Sequence, residues 1–246
     1  PKGRDIAGVE TVRWAPPLGT AEAPRSPLKR IETDITYGRS AAQAAQSLRD
    51  SGFYPDVIIG HPGWGEMLFL RTIFPKARQI QLAEFFYHAE GADVGFDPEF
   101  STPVTLDRIV ATESKNFGMT SSYVHADVLV APTPFQASLL PTALHDRTRI
   151  LHEGIDTNFA KRRPAKLSFA SGVVIDGSAP LITFVNRHFE PMRGVHIFMR
   201  ALPAVLEAVP QARVVMIGAD AREGYGPLPP LNETWLRRFK AELGAR

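Results

Sequence analysis

The stretch LITFVNRHFEPMRGVHIFMRALPAVLEAV, residues 181–209, predicts a strand, a loop and a helix in succession. Leu181–Val185 is a short run of apolar and β-branched residues, which is typical of a strand buried in a parallel sheet. Val195–Val209 carries its apolar residues at helical spacing. Pro203 lies inside this segment and removes a backbone hydrogen bond, so it predicts a kink or a split in the helix.

Similar runs recur along the chain and alternate with helical spacing. The further predicted strands are Val9–Val12, Val57–Ile59, Gln79–Ala83, Val128–Ala131, Thr148–Leu151 and Arg213–Ile217. The further predicted helices are Ala41–Leu48, Glu66–Phe74, Pro134–Leu140 and Leu236–Leu243. The alternation predicts βαβ units and therefore an α/β fold with parallel sheets.

The domain organisation follows from where this alternation stops and restarts. We expect an N-terminal Rossmann-like domain over residues 1–158, a linker over 159–178 and a second domain over 179–246. The linker is predicted from its basic cluster, Lys161–Arg163, and from the Gly and Ser residues that follow. We also expect the first domain to lack its first strand and the second to be incomplete.

The composition excludes several classes of protein. Lys and Arg number 28 against 26 Asp and Glu, so the formal net charge is only +2. Such a surface has no broad positive field to hold nucleic acid. Cysteine is absent, which excludes disulfides, Cys-ligated metal sites and thiol catalysis. No stretch approaches the roughly 20 apolar residues of a membrane span. We expect a cytoplasmic protein, with contact at the inner face of the membrane as an alternative.

The first candidate site is HPGWGE, residues 61–66, directly after the predicted strand Val57–Ile59. Ligands gather at the carboxyl ends of strands in open parallel sheets. Gly63 and Gly65 allow a tight turn with exposed amides, and Trp64 offers a flat face for a sugar ring. The alternative is that His61 and Trp64 only plug the end of the sheet.

The second candidate site begins at Glu84, which follows the predicted strand Gln79–Ala83. A carboxylate there can accept hydrogen bonds from sugar hydroxyls or take a proton from an attacking hydroxyl. Further carboxylates follow in a loop, at Glu90, Asp93, Asp97 and Glu99. Acidic loops are usually solvated, and the spacing of a calcium loop is absent. We therefore expect no metal.

Two further loops follow strands. HEGID, residues 152–156, is interpreted mainly as a structural turn at Gly154. In the loop of residues 186–194, Arg187 and Arg193 flank a turn that opens a helix at Gly194. Both guanidiniums can reach one anion at the helix N-terminus, which predicts phosphate binding there.

These motifs resemble glycosyltransferase family 4, also called glycosyltransferase group 1, which has the GT-B architecture of two Rossmann-like domains. The resemblance extends over nearly the whole chain, and the pairing of HPGWGE with FDPEF resembles one bacterial subgroup. The motifs that carry it are HPGWGEMLFL from His61, GADVGFDPEF from Gly91, HADVLVAPTPFQ from His125, HEGID from His152 and NRHFEPMRGVHIFMRALP from Asn186.

The resemblance implies a role for each matching residue. Arg187, Arg193 and Gly194 match the positions that bind the donor diphosphate, and Gly218 matches a turn beside the nucleoside. The acceptor side would hold His61 and Glu84 as catalytic residues, beside Gly63, Trp64 and Gly65. A family signature of two glutamates eight positions apart is absent from this sequence.

The resemblance implies transfer of a hexosyl group from a nucleotide-diphosphate sugar to a glycan or lipid-linked acceptor, with retained anomeric configuration. Such an enzyme would serve polysaccharide or glycoconjugate biosynthesis. The nucleotide sugar is a substrate, and no cofactor is expected. The alternatives are a GT-B-type sugar-nucleotide epimerase and a non-catalytic module that binds a glycan or a partner, with peripheral membrane contact a further hypothesis.

Overall fold

The computed structural model describes residues 6–14, 27–101, 103–170 and 172–244. Its strands are β1 (Val57–Gly60), β2 (Arg78–Leu82), β3 (Val128–Ala131), β4 (Thr148–Ile150), β5 (Leu167–Ser168), β6 (Val174–Ile175), β7 (Leu181–His188) and β8 (Arg213–Ala219). Its helices are α1 (Pro27–Asp50), α2 (Leu70–Ile73), α3 (Leu106–Glu113), α4 (Asn116–Val124), α5 (Pro134–Ser138), α6 (Val195–Ala208) and α7 (Trp235–Leu243). The expected α/β class with parallel sheets is confirmed.

The chain forms two compact units. The first unit comprises Pro1–Phe96 and Pro103–Gly154, and the second comprises Asp97–Thr102 and Ile155–Arg246. Residues 159–178, which the sequence predicts as a linker, belong to the second unit and contain the antiparallel pair β5 and β6.

The first unit contains a four-stranded sheet in the order β1-β2-β3-β4, with every neighbouring pair parallel. Its strands are short, and β1 and β3 are rich in branched apolar residues. β2 instead buries the amide side chains of Gln79 and Gln81. Leu129 of β3 is fully buried against Met119 and Tyr123 of α4. Thr133 accepts a hydrogen bond from the amide of Gln136 and so caps α5, as its position before a proline predicts.

The carboxylate of Asp127, which directly precedes β3, connects the beginning of that strand to β2 and α2. Its Oδ2 accepts hydrogen bonds from the amide of Gln79 and from Nη2 of Arg71, both at 2.6 Å. The Gln79 amide, and after it the Arg71 guanidinium, holds the pKa of Asp127 below its ordinary value in spite of partial desolvation.

The second unit contains the parallel pair β7 and β8, with α6 and α7 packed together. Its core joins Val195 and Met199 of α6 to Trp235 and Phe239 of α7. The split predicted at Pro203 is wrong, since α6 runs without interruption from Val195 to Ala208. Burial of the apolar face of α6 compensates the single hydrogen bond that proline removes.

Residues 97–102 contribute to the second unit although the chain on both sides of them belongs to the first. The ring of Phe100 meets those of His196 and Trp235 edge to face, with centroids 4.9 and 5.1 Å apart. Arg200 of α6 donates to both carboxylate oxygens of Glu99 at 2.6 Å. Through these contacts the segment packs against the hydrophobic core of the second unit.

Other predictions need correction at the level of elements. Residues 9–12 are exposed and form no strand. The helix predicted at Glu66–Phe74 is reduced to α2, because residues 62–69 form successive turns such as Leu68 N–H to Gly65 O at 3.0 Å. The helix predicted at Ala41–Leu48 extends to the 24 residues of α1.

Among the described residues, every helix is too short or too polar to traverse a lipid bilayer.

Candidate functional site

His61 and Glu84 form a hydrogen-bonded pair at the carboxyl ends of β1 and β2, which are neighbours in the sheet. Nε2 of His61 lies 3.0 Å from Oε2 of Glu84. Nδ1 of the same ring accepts a hydrogen bond from the amide of Gly63 at 3.1 Å. A neutral imidazole has one donor and one acceptor nitrogen, so the Nε2 proton points to Glu84. The pair is solvent-accessible, with side-chain exposures of 38% and 59%.

Glycine is required at two positions of the HPGWGE turn. A Cβ at Gly63 would collide with the His61 ring, so only glycine lets the imidazole fold over its amide. Gly65 has a φ of 96°, and a Cβ there would collide with the carbonyl oxygen of Asp34 in α1. Both amides already bond within the turn, to His61 Nδ1 and to Pro62 O, rather than pointing to solvent.

Trp64 lies outside the core, since 59% of the residue is exposed. The guanidinium of Arg30 lies 5.4 Å from the centroid of its ring, in cation–π geometry. The same guanidinium donates to the carbonyl of Gly63 at 2.6 Å. The turn therefore presents one indole face beside a fixed positive charge.

Arg30 and Asp34 are functional candidates that the sequence predictions missed. Nε of Arg30 lies 3.1 Å from Oδ1 of Asp34, an ion pair one helical turn apart in α1. Asp34 is only 3% exposed, and this burial raises its pKa, while the Arg30 guanidinium acts in the opposite direction. An i,i+4 pair of opposite charges was a visible signal, but such pairs are common on exposed helices.

Lys115 is a partly buried cation whose electrostatic neighbours include Arg30 and Asp93. Its Nζ lies 4.5 Å from the centroid of the Tyr87 ring. Burial lowers the pKa of Lys115, and the nearby Asp93 carboxylate opposes that shift. The side chain of Asn116 bonds both the amide and the carbonyl of Tyr87, at 2.9 and 2.7 Å. Of the loop carboxylates that the sequence singles out, Asp93 therefore lies in the first unit, near the Lys115 ammonium group.

Asp97 and Glu99 belong to the second unit. Oδ2 of Asp97 is 2.8 Å from Nε2 of His196. One carboxylate oxygen each from Asp97 and Glu99 and a ring nitrogen of His196, all atoms that can bind a metal ion, lie within 4.8 Å of one another. The Arg200 guanidinium already pairs with both oxygens of Glu99 and holds the pKa of that carboxyl below its ordinary value. The arrangement is an ion-pair network in which arginine supplies the positive charge. Glu90 is an exposed loop residue.

In the second unit, Arg187 and Arg193 converge on one side chain, Tyr225. Nη1 of Arg187 donates to the Tyr225 hydroxyl at 3.4 Å, and the guanidinium of Arg193 lies 5.4 Å from the centroid of the ring. Arg187 lies in β7, and Arg193 ends the 3₁₀ turn Pro191–Arg193 before α6. The two cations that the sequence predicts to share an anion are thus brought together.

Glu190 anchors the loop that carries Tyr225. This residue is 2% exposed, and its Oε2 accepts the amides of Tyr225 and Gly226 at 2.7 and 3.0 Å. Its Oε1 lies 3.8 Å from Nε of Arg193. A Cβ at Gly224 would collide with this carboxylate, which explains the glycine. Glu190 and Tyr225 were not predicted, although the loop G-Y-G is a visible turn signal.

Gly194 and Gly218 occupy different settings from each other. Gly194 has a left-handed φ of 74° and forms the N-cap of α6, whose first turn has no side-chain cap. Gly218 lies within β8 rather than in a turn after it. A Cβ at Gly218 would lie 2.7 Å from the carbonyl oxygen of Asn186, so the glycine permits β8 to approach β7 closely.

HEGID repeats the histidine turn of the first site. The amide of Gly154 donates to Nδ1 of His152 at 3.1 Å, as the Gly63 amide does to His61. Gly154 has a φ of 74° and is the last residue of the first unit. The motif forms the structural turn that the sequence predicts.

Comparison with known proteins identifies one family. The model of the glycosyl transferase family 4 group matches residues 1–160. No curated protein matches the chain.

Proposed function

Because the chain belongs to the glycosyl transferase family 4 group, we propose that it transfers a hexosyl group from a nucleotide-diphosphate sugar to a glycan or lipid-linked acceptor, retaining the anomeric configuration. Glycosyl transfer, with a sugar donor and an acceptor, is the general chemistry of that family. The observation that carries the proposal is the convergence of Arg187 and Arg193 on Tyr225 at the start of α6.

The donor diphosphate would bind in the second unit, at the loop between β7 and α6. Arg187 is exposed, and the side chain of Arg193 is 44% exposed, so both guanidiniums are accessible to a ligand. Two guanidinium groups present planar sets of N–H donors that suit phosphate oxygens. The uncapped first turn of α6 adds the positive end of a helix dipole.

This arrangement suits departure of a nucleoside diphosphate without a metal ion. Negative charge grows on the leaving diphosphate as the glycosidic bond to the sugar breaks. Fixed donors aimed at that charge stabilise the transition state more than the ground state. Arg187 and Arg193 would supply those donors, and the Glu190 carboxylate near Arg193 would keep that guanidinium in place.

The acceptor would bind in the first unit, beside the His61–Glu84 pair. Oε2 of Glu84 is held by His61, and the backbone carbonyl of Glu84 accepts from Gln136 Nε2 at 2.8 Å. The other carboxylate oxygen is left to accept a hydrogen bond from the acceptor hydroxyl and so to orient it. Because the configuration is retained, that hydroxyl attacks from the face that the diphosphate leaves. The bond between the sugar and the diphosphate breaks as the new glycosidic bond forms, and the hydroxyl proton passes to the departing phosphate oxygen. Trp64 provides an exposed aromatic face for the acceptor ring.

Donor binding and hydrolysis test the proposal directly. We expect one member of a panel of nucleotide-diphosphate sugars to bind and to be hydrolysed slowly, and we expect Arg187→Ala and Arg193→Ala to weaken that binding and to slow the hydrolysis strongly. Arg237→Ala is the matched control, because Arg237 is an exposed arginine of α7 in the same unit. A folded protein that binds no member of the panel would refute the donor-site assignment.

A further inference from the structure

Tyr225 is a prominent feature of the second unit that the proposed chemistry leaves without a role. It is 68% exposed, and three residues contact it. Arg187 contacts its hydroxyl, Arg193 covers its ring and Glu190 binds its backbone amide. An exposed phenol beside two cations, on a loop whose backbone is anchored by Glu190, is placed to meet an anionic ligand.

Side chains of Glu190 and Trp235 hold the backbone of this loop through hydrogen bonds. Oε2 of the buried Glu190 carboxylate accepts two successive amides, those of Tyr225 and Gly226. Further along the loop, Nε1 of Trp235 donates to the carbonyl of Pro227 at 3.0 Å. Because hydrogen bonds to a charged carboxylate are stronger than those between neutral groups, Glu190 orders the turn firmly.

The direction of the Tyr225 hydroxyl follows from its contact with Arg187. A guanidinium has only donors, so the phenolic oxygen is the acceptor in this hydrogen bond. The phenolic proton must then point away from Arg187 and can be donated to another group. Donation by the guanidinium also polarises the hydroxyl, which strengthens it as a donor.

We propose that the Tyr225 hydroxyl is a third hydrogen-bond donor to the donor diphosphate, beside Arg187 and Arg193, and that Glu190 is the positioning residue that holds it there. This inference rests on the proposed function and adds a residue to its donor site. The chemistry that Tyr225 recognises is the diphosphate, which every nucleotide-diphosphate sugar shares. The effect is therefore independent of the base and of the sugar.

Inorganic pyrophosphate is the probe, because it carries the shared diphosphate alone. Calorimetric titration of the whole protein with pyrophosphate should show binding about tenfold weaker for Tyr225→Phe, which removes one hydrogen bond to a charged ligand. Tyr54→Phe is the control, since Tyr54 is an equally exposed tyrosine, at 71%, in the first unit. It should bind pyrophosphate as the wild type does.

A second pair of variants tests the role of Glu190. Glu190→Gln keeps an oxygen that accepts the two amides, so it should preserve most of the pyrophosphate affinity. Combining Glu190→Ala with Tyr225→Phe should cost no more than Glu190→Ala alone, because the hydroxyl is no longer in place. Additive losses would show that Glu190 does not act through Tyr225.

The outcomes separate this inference from the proposed function. Pyrophosphate affinity of Tyr225→Phe within twofold of the wild type, together with a loss in Arg187→Ala, overturns the role of Tyr225 and leaves the donor site intact. An unchanged affinity in Arg187→Ala as well refutes the donor site itself.

Discussion

The Nε2–H group of His61 donates a hydrogen bond of 3.0 Å to Oε2 of Glu84, and the two residues follow adjacent parallel strands. The Gly63 amide fixes the tautomer by bonding Nδ1 of the imidazole. One carboxylate oxygen is thus held by the protein and the other is left for a substrate hydroxyl.

Glu84→Gln should lower kcat of glycosyl transfer by about ten- to a hundredfold, because a neutral amide accepts the hydrogen bond that orients the acceptor hydroxyl more weakly than a carboxylate does. The melting temperature should stay near that of the wild type, since the Glu84 side chain is 59% exposed. Glu90→Gln is the control, as Glu90 is exposed in the following loop. Steady-state kinetics of Glu84→Gln, with the donor site left unchanged, measure this effect. An unchanged kcat would refute the role of Glu84.

Arg187→Ala should reduce kcat by about 10²–10³, the usual cost of removing one fixed donor to a transition-state anion. Arg187→Lys should restore only part of this loss, because a lysine lacks the planar set of donors. Single-turnover kinetics with saturating donor would measure the chemical step. Full activity of the lysine variant would show that charge alone suffices.

Gly65→Ala should destabilise the first unit by about 1–3 kcal/mol, through overpacking and a left-handed backbone. Its Cβ would meet the carbonyl oxygen of Asp34, and its φ is 96°. Gly91→Ala is the matched comparison, because Gly91 has a φ of 77° but nothing within 4 Å of the added carbon. The larger loss should fall on Gly65→Ala in urea unfolding. Equal losses would mean that the contact with α1 contributes nothing.

Asp127 should make the stability of the first unit depend on acid pH. Its folded pKa lies below the ordinary value of 3.8, so the folded state binds the proton less readily than the unfolded chain. The stabilisation is then fully present above the unfolded pKa and is lost as the pH falls through the folded pKa. The difference in urea midpoint between wild type and Asp127→Asn should shrink over that window. A constant difference would contradict the shift.

The sequence predicted the sheet of the first unit well, because β1 and β3 are short apolar runs and β2 and β4 each combine apolar residues with a position directly after a turn or helix. The adjacency of His61 and Glu84 followed from the same logic, since both residues come directly after strands. The first half of α1 was missed because it has no apolar stripe. Its buried residues there are Asp34 and Gly38, and a Cβ at Gly38 would lie 2.6 Å from the carbonyl oxygen of Gly65.

Tyr225 and Glu190 could not be predicted for a different reason. Tyr225 lies 38 positions from Arg187, and its contact with Glu190 is made through its backbone amide. Backbone contacts leave no pattern of side-chain types in a sequence. Phe100 is similar, because FDPEF gives no sign that it packs against residues more than a hundred positions away.

The placement of residues 97–102 has a consequence for how the protein is made. Glu99 and Arg200 lie 101 positions apart, and the aromatic partners Trp235 and Phe239 come later still. A growing chain therefore leaves Phe100 without these aromatic partners until α7 has left the ribosome. For the same reason, cutting the protein after Gly154 would separate Phe100 from Trp235 and Phe239, so the later fragment would lack part of its own aromatic core.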